Sequence, residues 1–164
     1  MTQNIIGFTA PSGTGKTTLL EKIIPLLVDA GLKVAVLKHG HHAADPDVPG
    51  KDTWRFRKAG AESVIFSGPD RWFMICEQGE KEPAMHLKRL EGHDLILIEG
   101  LRDQNHPKLV LHREAVTKHP ELEGLSNVMA VVSDQTTLDV GLPVLPLNEP
   151  EMVCRFILDT FNDG

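Results

Sequence analysis

The chain has 164 residues, with 17 basic and 23 acidic side chains and a net charge of −6 at pH 7. This length and a hydrophobic fraction of 41% predict one globular domain spanning residues 1–164. The acidic balance argues against nucleic acid as a partner, because duplex-binding proteins carry a basic face. We see no signal-peptide pattern and no apolar stretch near the ~20 residues of a membrane span. With only two cysteines, the chain is expected to be cytoplasmic, without a membrane association.

Apolar runs alternate with helical patterns along the chain, and glycine and proline separate them. Strands are predicted at 4–9, 33–38, 62–67, 71–77, 94–98, 108–112 and 127–132. Helices are predicted at 16–29, 53–59, 83–91 and 149–161. This alternation predicts an α/β fold with a mostly parallel sheet flanked by helices. Gly68-Pro69-Asp70 between two strands predicts an antiparallel β-hairpin, so part of the sheet is expected to be antiparallel.

A glycine-rich segment, APSGTGKT at residues 10–17, joins the first predicted strand to the first predicted helix. Apart from Ala10 in place of a glycine, it matches the Walker A motif, whose backbone N–H groups surround phosphate. Lys16 places a cation near the β- and γ-phosphates, and the Thr17 hydroxyl can coordinate Mg²⁺. A P-loop NTPase-like domain is therefore predicted, although the motif does not distinguish ATP from GTP. The predicted nucleotide contacts are Ser12, Gly13, Thr14, Gly15, Lys16, Thr17 and Thr18.

Acidic residues at two places are candidates for the chemistry. Glu99 ends the buried apolar strand 94–98 and is predicted to hold Mg²⁺ together with Thr17 and to act in catalysis with Lys16. The alternative is an ordinary strand that ends in a solvated glutamate. Further candidates for positioning water are Asp45, Asp47 and Asp52. No glutamine follows Glu99-Gly100 and no arginine finger is evident nearby, so hydrolysis is expected to be slow.

A histidine-rich loop follows the second predicted strand, with His39, His41 and His42 close together. The first interpretation is a switch or substrate-contacting loop, in which His39 and His41 contact the nucleotide. The second is a site for Zn²⁺ or Ni²⁺, because closely spaced histidines suit these ions. The third is an ordinary loop. The other five histidines are scattered and are expected to be structural.

Together these segments resemble the MobB family, the molybdopterin-guanine dinucleotide biosynthesis adaptor proteins. The resemblance covers nearly the whole chain. Its generic part is the phosphate loop, and its more specific parts are Lys38-His39-Gly40-His41-His42 and Gly50-Lys51-Asp52-Thr53, followed by Ile98-Glu99-Gly100 and Val132-Ser133-Asp134. One departure is Leu101, where the family often has phenylalanine.

The resemblance implies a GTP-binding, weakly GTP-hydrolysing adaptor in molybdenum cofactor biosynthesis. Its implied partners are a guanylyltransferase that attaches GMP to molybdopterin, and molybdopterin or its molybdenum form. Guanine specificity comes from the resemblance alone, and Asp134 is a candidate to accept hydrogen bonds from the guanine. Two other functions stay open at this point: a small-molecule kinase and a nickel metallochaperone GTPase.

The predicted hairpin is apolar on both faces. Val64 and Phe66 alternate with Ile65 on one strand, and Phe73 and Ile75 alternate with Trp72 and Met74 on the other. A two-stranded ribbon is marginal by itself and needs cover on both sides. Burial between helices of one chain is the alternative, but a symmetric homodimer formed through the hairpin is the favoured prediction.

Overall fold

The computed structural model describes residues 4–40, 44–79, 82–135 and 137–162, and within them the chain forms eight strands and four helices. The strands are β1 (Ile5–Thr9), β2 (Val34–Lys38), β3 (Ser63–Ser67), β4 (Trp72–Cys76), β5 (Leu95–Glu99), β6 (Lys108–His112), β7 (Val128–Ser133) and β8 (Val144–Pro146). The helices are α1 (Lys16–Asp29), α2 (Asp52–Lys58), α3 (Pro83–Arg89) and α4 (Pro150–Asn162). Strand β8 is the one element that the sequence patterns missed, because three residues are too short to show a period.

Six strands form one sheet in the order β2-β5-β1-β6-β7-β8, and every neighbouring pair is parallel. The predicted α/β fold is therefore confirmed. In one respect the prediction was wrong: β3 and β4 pair antiparallel in a separate two-stranded sheet and leave the main sheet wholly parallel. Strand β1 lies between β5 and β6, so the carboxyl ends of these three strands meet at one edge.

The core of the main sheet explains why its strands read as continuous apolar runs. Side chains on both faces of β5 and β6 are buried, because helices and loops cover both faces of a parallel sheet. Helix α1 contributes Leu20, Ile23 and Leu27 to the larger cluster, at the spacing of one helical face. Each such side chain contributes about 1.5–3 kcal/mol by leaving water. This core fixes the ends of the strands that carry the polar residues.

The chain divides into two compact units, residues 1–40 with 86–164 and residues 41–85. The first unit holds the parallel sheet, and the second holds α2 and the β3–β4 hairpin. The prediction of one domain over residues 1–164 stays a prediction. Across the described residues, no helix combines the length and apolarity needed to cross a membrane.

The second unit is organised around Arg57 of α2, whose side chain is only 6% exposed. Its guanidinium donates to the carboxylates of Asp45, at 2.8 and 3.2 Å, and of Asp47, at 3.0 Å. It also contacts the carboxylate of Glu77, just after β4. One arginine thus ties the loop before α2 and the end of the hairpin to α2.

Candidate phosphate-binding site

The predicted phosphate loop lies between β1 and α1, at the edge where β5 and β6 also end. Gly13 and Gly15 adopt left-handed backbone angles, with φ of 82° and 102°, which residues with a Cβ rarely reach. The buried Thr14 hydroxyl donates to the Pro11 carbonyl at 2.9 Å and closes the turn. Because Gly15 caps α1 without a side chain, the first N–H groups of the helix remain for an anion.

Lys16 is folded back into this loop. Its ammonium group donates to the carbonyls of Ala10, at 2.7 Å, and Pro11, at 3.1 Å. Burial lowers the pKa of Lys16, an effect that the nearby Glu99 carboxylate opposes and Lys38 reinforces. The cation that the sequence predicted for the phosphates is thus held at the loop itself.

Thr17 and Glu99 come together as the sequence predicted. The Thr17 hydroxyl lies 3.3 Å from each carboxylate oxygen of Glu99. Glu99, with a side chain only 13% exposed, also pairs with the Lys38 ammonium at 3.4 Å. A hydroxyl and a carboxylate oxygen are hard ligands of the kind that Mg²⁺ prefers, so these residues fit that ion. Lys38 is an addition that the sequence analysis did not assign to the chemistry.

His39 lies beside Glu99 because β2 and β5 are paired and end together. The His39 N–H donates to the Glu99 carbonyl at 2.9 Å. Gly100 has φ of 104°, and a Cβ there would meet the His39 carbonyl oxygen, so only glycine fits. The next residue, Leu101, is also left-handed, with φ of 51°, an uncommon conformation for leucine. His41 and His42 lie outside the described residues.

The structure adds Arg113 to the site. Arg113 directly follows β6, and its Nε donates to the Thr14 carbonyl of the phosphate loop at 3.2 Å. The sequence analysis did not assign Arg113 to the site, and its expectation that no arginine finger acts on the γ-phosphate stays a prediction. Arg113 directly follows β6 in the sequence, as Asp134 follows β7, but only the strand order shows that β6 lies next to β1.

Asp134 follows β7, at the same edge of the sheet. Its Oδ1 accepts a hydrogen bond from the Glu114 N–H at 3.0 Å. Next to it, the buried His112 ring connects the end of β7 to the loop after β6, since Nδ1 lies 2.9 Å from the Ser133 hydroxyl and Nε2 lies 3.0 Å from the Thr117 carbonyl. A carbonyl only accepts, so Nε2 donates and the Ser133 hydroxyl donates to Nδ1. Asp134 thereby orders the loop after β6, and its role toward guanine stays a prediction.

Asp45, Asp47 and Asp52 belong to the 41–85 unit. The hydrogen bonds from Arg57 hold the pKa of Asp45 below its usual range. Burial would raise the pKa of Asp47, but hydrogen bonds from Thr53 and Arg57 outweigh it and the pKa falls. A carboxylate that is bonded in this way is a weak proton acceptor. Asp52 is 81% exposed, and a part for any of the three in positioning water remains a prediction.

The chemistry of the histidine loop remains open. Over residues 4–40, 44–79, 82–135 and 137–162, no three His, Cys, Asp or Glu side chains gather as a metal site. His41 and His42 fall in one of the gaps, so this search does not test the nickel interpretation. The phosphate-loop edge is the site that the described residues assemble.

Comparison with known proteins identifies the family. The family model described as molybdopterin guanine dinucleotide synthesis protein B, MobB, matches residues 5–134. The molybdopterin-guanine dinucleotide biosynthesis adapter protein of Haemophilus influenzae is 36% identical over 157 residues, covering 93% of this chain and 86% of that protein. Its Escherichia coli counterpart is 35% identical over 161 residues, covering 94% and 91%. The crystal structure of Bacillus subtilis MobB superposes with a TM-score of 0.74 at 25% identity, covering 95% and 96%. The chain therefore belongs to the MobB family, as its motifs predict.

Proposed function

We propose that this chain is an adapter in molybdopterin-guanine dinucleotide biosynthesis that binds GTP with Mg²⁺ at the phosphate loop and hydrolyses it slowly. The observation that carries the proposal is the Thr17 hydroxyl 3.3 Å from both Glu99 oxygens, next to Lys16 at the start of α1. The adapter role follows from the names of its relatives in Haemophilus influenzae and Escherichia coli. A guanylyltransferase that attaches GMP to molybdopterin is the proposed partner, and molybdopterin or its molybdenum form the proposed second ligand.

Binding of the triphosphate uses three features of the loop. The uncapped N–H groups of α1 and the left-handed glycines Gly13 and Gly15 present backbone donors to phosphate oxygens. The Lys16 ammonium exchanges its bonds with the Ala10 and Pro11 carbonyls for bonds to phosphate. Its pKa, although lowered by burial, is raised again by a bound anion, so Lys16 is charged in the complex.

Thr17 and Glu99 are the residues proposed to hold Mg²⁺, directly or through water. When bound, the ion neutralises charge on the β- and γ-phosphates. The Lys38 ammonium pairs with Oε1 of Glu99 at 3.4 Å, and the same carboxylate accepts the Thr17 hydroxyl at 3.3 Å. Thr17, Glu99 and Lys38 therefore form one connected group of side chains next to the proposed phosphate position.

The preference for GTP rests on family membership and on the position of Asp134 after β7. Oδ1 of Asp134 accepts the Glu114 N–H, and carboxylate oxygens have further lone pairs for donors. The N1–H and 2-amino groups of guanine form a donor pair that suits a carboxylate, whereas adenine lacks that pair.

Isothermal titration with GTP and ATP, each with Mg²⁺, tests the nucleotide. We expect GTP to bind more tightly than ATP, and an Asp134→Asn variant to lose that preference while keeping its affinity for the phosphates. Equal binding of ATP and GTP by the wild type would remove guanine specificity from the proposal. Transfer of the γ-phosphate to an added small-molecule acceptor would favour a kinase instead.

Slow turnover is the second test. Phosphate-loop proteins without a water-positioning glutamine or an arginine supplied at the γ-phosphate hydrolyse on the order of 10⁻⁴ to 10⁻² s⁻¹. We expect phosphate release from GTP in that range for the isolated protein. A rate of several per second without a partner would contradict an adapter that only hydrolyses weakly.

A further inference from the structure

We propose that Arg113 is a ligand of the nucleotide phosphates that also fixes the shape of the phosphate loop. The inference rests on the proposed function, because it assumes a nucleoside di- or triphosphate at that loop. It adds to the site a residue beyond the Walker A motif and beyond Glu99, the acidic residue that ends β5.

The position of Arg113 follows from the strand order. Strand β6 pairs with β1 on the side opposite β5, with Thr9 level with Val110. The first residue beyond β6 therefore lies beside the phosphate loop, as does Glu99 at the end of β5, the other neighbour of β1. From there the Arg113 Nε reaches the Thr14 carbonyl at 3.2 Å.

Gly15 lets the guanidinium approach the start of α1. A Cβ built on Gly15 would lie 3.4 Å from Nη2 of Arg113, which puts the end of the side chain against the Gly15 backbone. The N–H groups at the beginning of α1 are the groups expected to bind phosphate. The Nη atoms of Arg113 thus lie next to the part of the loop where negative charge would collect.

The turn that carries Arg113 is held by several hydrogen bonds. The Arg113 carbonyl accepts from the N–H groups of Val116, at 2.8 Å, and Thr117, at 3.1 Å. Asp134 accepts from the N–H of Glu114 at 3.0 Å, and the His112 ring donates to the Thr117 carbonyl at 3.0 Å. A side chain that starts from so fixed a backbone loses little freedom when it binds, which favours affinity.

The partners of Arg113 differ from those of the other arginines in the described parts of the chain that make ion pairs. Arg55 pairs with Asp52, Arg57 is bonded to three carboxylates, and Arg102 pairs with Glu121 and Asp103. In the residues that the structure describes, the one bond of the Arg113 guanidinium goes to a neutral carbonyl through Nε. Its two Nη groups are left as a planar pair of donors, the arrangement that recognises phosphate oxygens.

Titration calorimetry with GTP and GDP, at low and at moderate salt, tests the proposal with the full-length chain. The variants are Arg113→Gln, which keeps a donor but removes the charge, and Arg113→Lys, which keeps the charge but not the planar fork. The matched control is Arg155→Gln on α4, which removes the same charge from an exposed position. Thermal unfolding without nucleotide checks that each variant is folded.

We expect Arg113→Gln to weaken the binding of GTP and of GDP about 10- to 100-fold, the range for a lost charge-assisted hydrogen bond. The salt dependence of its affinity should also fall, because one cation fewer meets the phosphates. Arg113→Lys should recover part of the affinity and most of the salt dependence, and Arg155→Gln should bind as the wild type does.

Two results would overturn the assignment. One is an Arg113→Gln variant that binds GTP as tightly as Arg155→Gln does. The other is an equal loss in Arg113→Gln and Arg113→Lys with the salt dependence of the wild type, since that would leave only the contact with Thr14. Failure of the wild type to bind any nucleotide would instead remove the proposed function, and this inference with it.

Discussion

Strand β5 and the β3–β4 hairpin have nearly the same apolar composition and opposite surroundings. In β5, Leu95 to Ile98 are at most 1% exposed, because the strand lies between β1 and β2 in the main sheet. In the hairpin, Ile65 is 62% exposed and Trp72 is 70% exposed. Phe66 and Phe73, stacked with ring centroids 5.3 Å apart, are still 44% and 39% exposed.

The difference shows that an apolar strand can either form the buried core of its own unit or present an apolar surface to a partner. In β5 it provides the core of its own unit, and Glu99 at its end gains a fixed position. In the hairpin it leaves large apolar side chains at the surface, and contiguous exposure of that kind marks an interaction surface. A second copy of this chain, as in the homodimer predicted from the sequence, is one partner that could cover that surface, and the dimer stays a prediction.

The largest expected effect is on nucleotide binding, which depends on the phosphate loop and not on the hairpin. We expect Lys16→Ala to weaken GTP binding at least about 100-fold, because it removes the cation that faces the phosphates. The fold should survive, since within the described ranges the Lys16 ammonium donates to two carbonyls of the loop itself, those of Ala10 and Pro11. Titration calorimetry measures the affinity, and Lys22→Ala on the exposed side of α1 is the control. Unchanged GTP affinity in Lys16→Ala would remove the loop from the proposed function.

A pair of truncations tests the comparison of strands directly. Leu97→Ala in β5 is expected to lower the free energy of unfolding by about 2–5 kcal/mol, because it opens a cavity in a fully buried core. Ile65→Ala in the hairpin should cost the single chain less than about 1 kcal/mol, since Ile65 is mostly exposed. Denaturant unfolding at low protein concentration measures both. A loss as large in Ile65→Ala as in Leu97→Ala would show that the hairpin is covered even in the single chain.

Assembly is the next comparison. We expect the wild type to sediment as a dimer at tens of micromolar, and Phe73→Asp to sediment as a monomer or to aggregate, because a charge would replace a large apolar side chain in the contact. Met152→Asp is the matched control. Met152 is similarly exposed, and an acidic residue is tolerated in the first turn of α4. Sedimentation velocity decides, and a monomeric wild type would refute the dimer.

Much of the fold could be predicted because single segments carried the signal. The run from Leu95 to Glu99 has the length and composition of a buried parallel strand, and the glycines before Lys16 fix the phosphate loop. The sequence did not predict that β3 and β4 form a sheet of their own. Their residues show no alternation of polar and apolar side chains that would have distinguished a separate hairpin from strands of the main sheet. β8 was missed because its three residues show no pattern.

The candidate site could be predicted only where residues carry a motif. Lys16 and Thr17 belong to the Walker A motif, and Glu99 ends a strand that its apolar composition clearly predicts. Arg113 and Lys38 enter the site through strand order, a long-range property that no local pattern contains. His106 was expected to be structural, and it is buried, but the sequence did not indicate how its environment would change its chemistry.

The smallest expected effect is a pH dependence of stability that arises from His106. This side chain is buried beside β1 in the unit that holds the parallel sheet. A Cβ on Gly7 would overlap its ring, and its Nε2 is buried without a hydrogen-bond partner among the described residues. Burial, aided by the charge of Lys108, lowers the pKa of His106 from 6.5 to about 4. Between these values the unfolded chain takes up a proton that the folded chain does not, so stability falls as the pH drops from 6.5 to about 4 and then levels off. Over this pH range, the difference in pKa lowers the free energy of unfolding by up to about 3 kcal/mol.

Urea unfolding from pH 7 to pH 4 should therefore show a steeper loss of unfolding free energy for the wild type than for His106→Gln, whereas the exposed control His119→Gln should follow the wild type. Parallel pH profiles for the wild type and His106→Gln would mean that His106 titrates alike in the folded and unfolded chains.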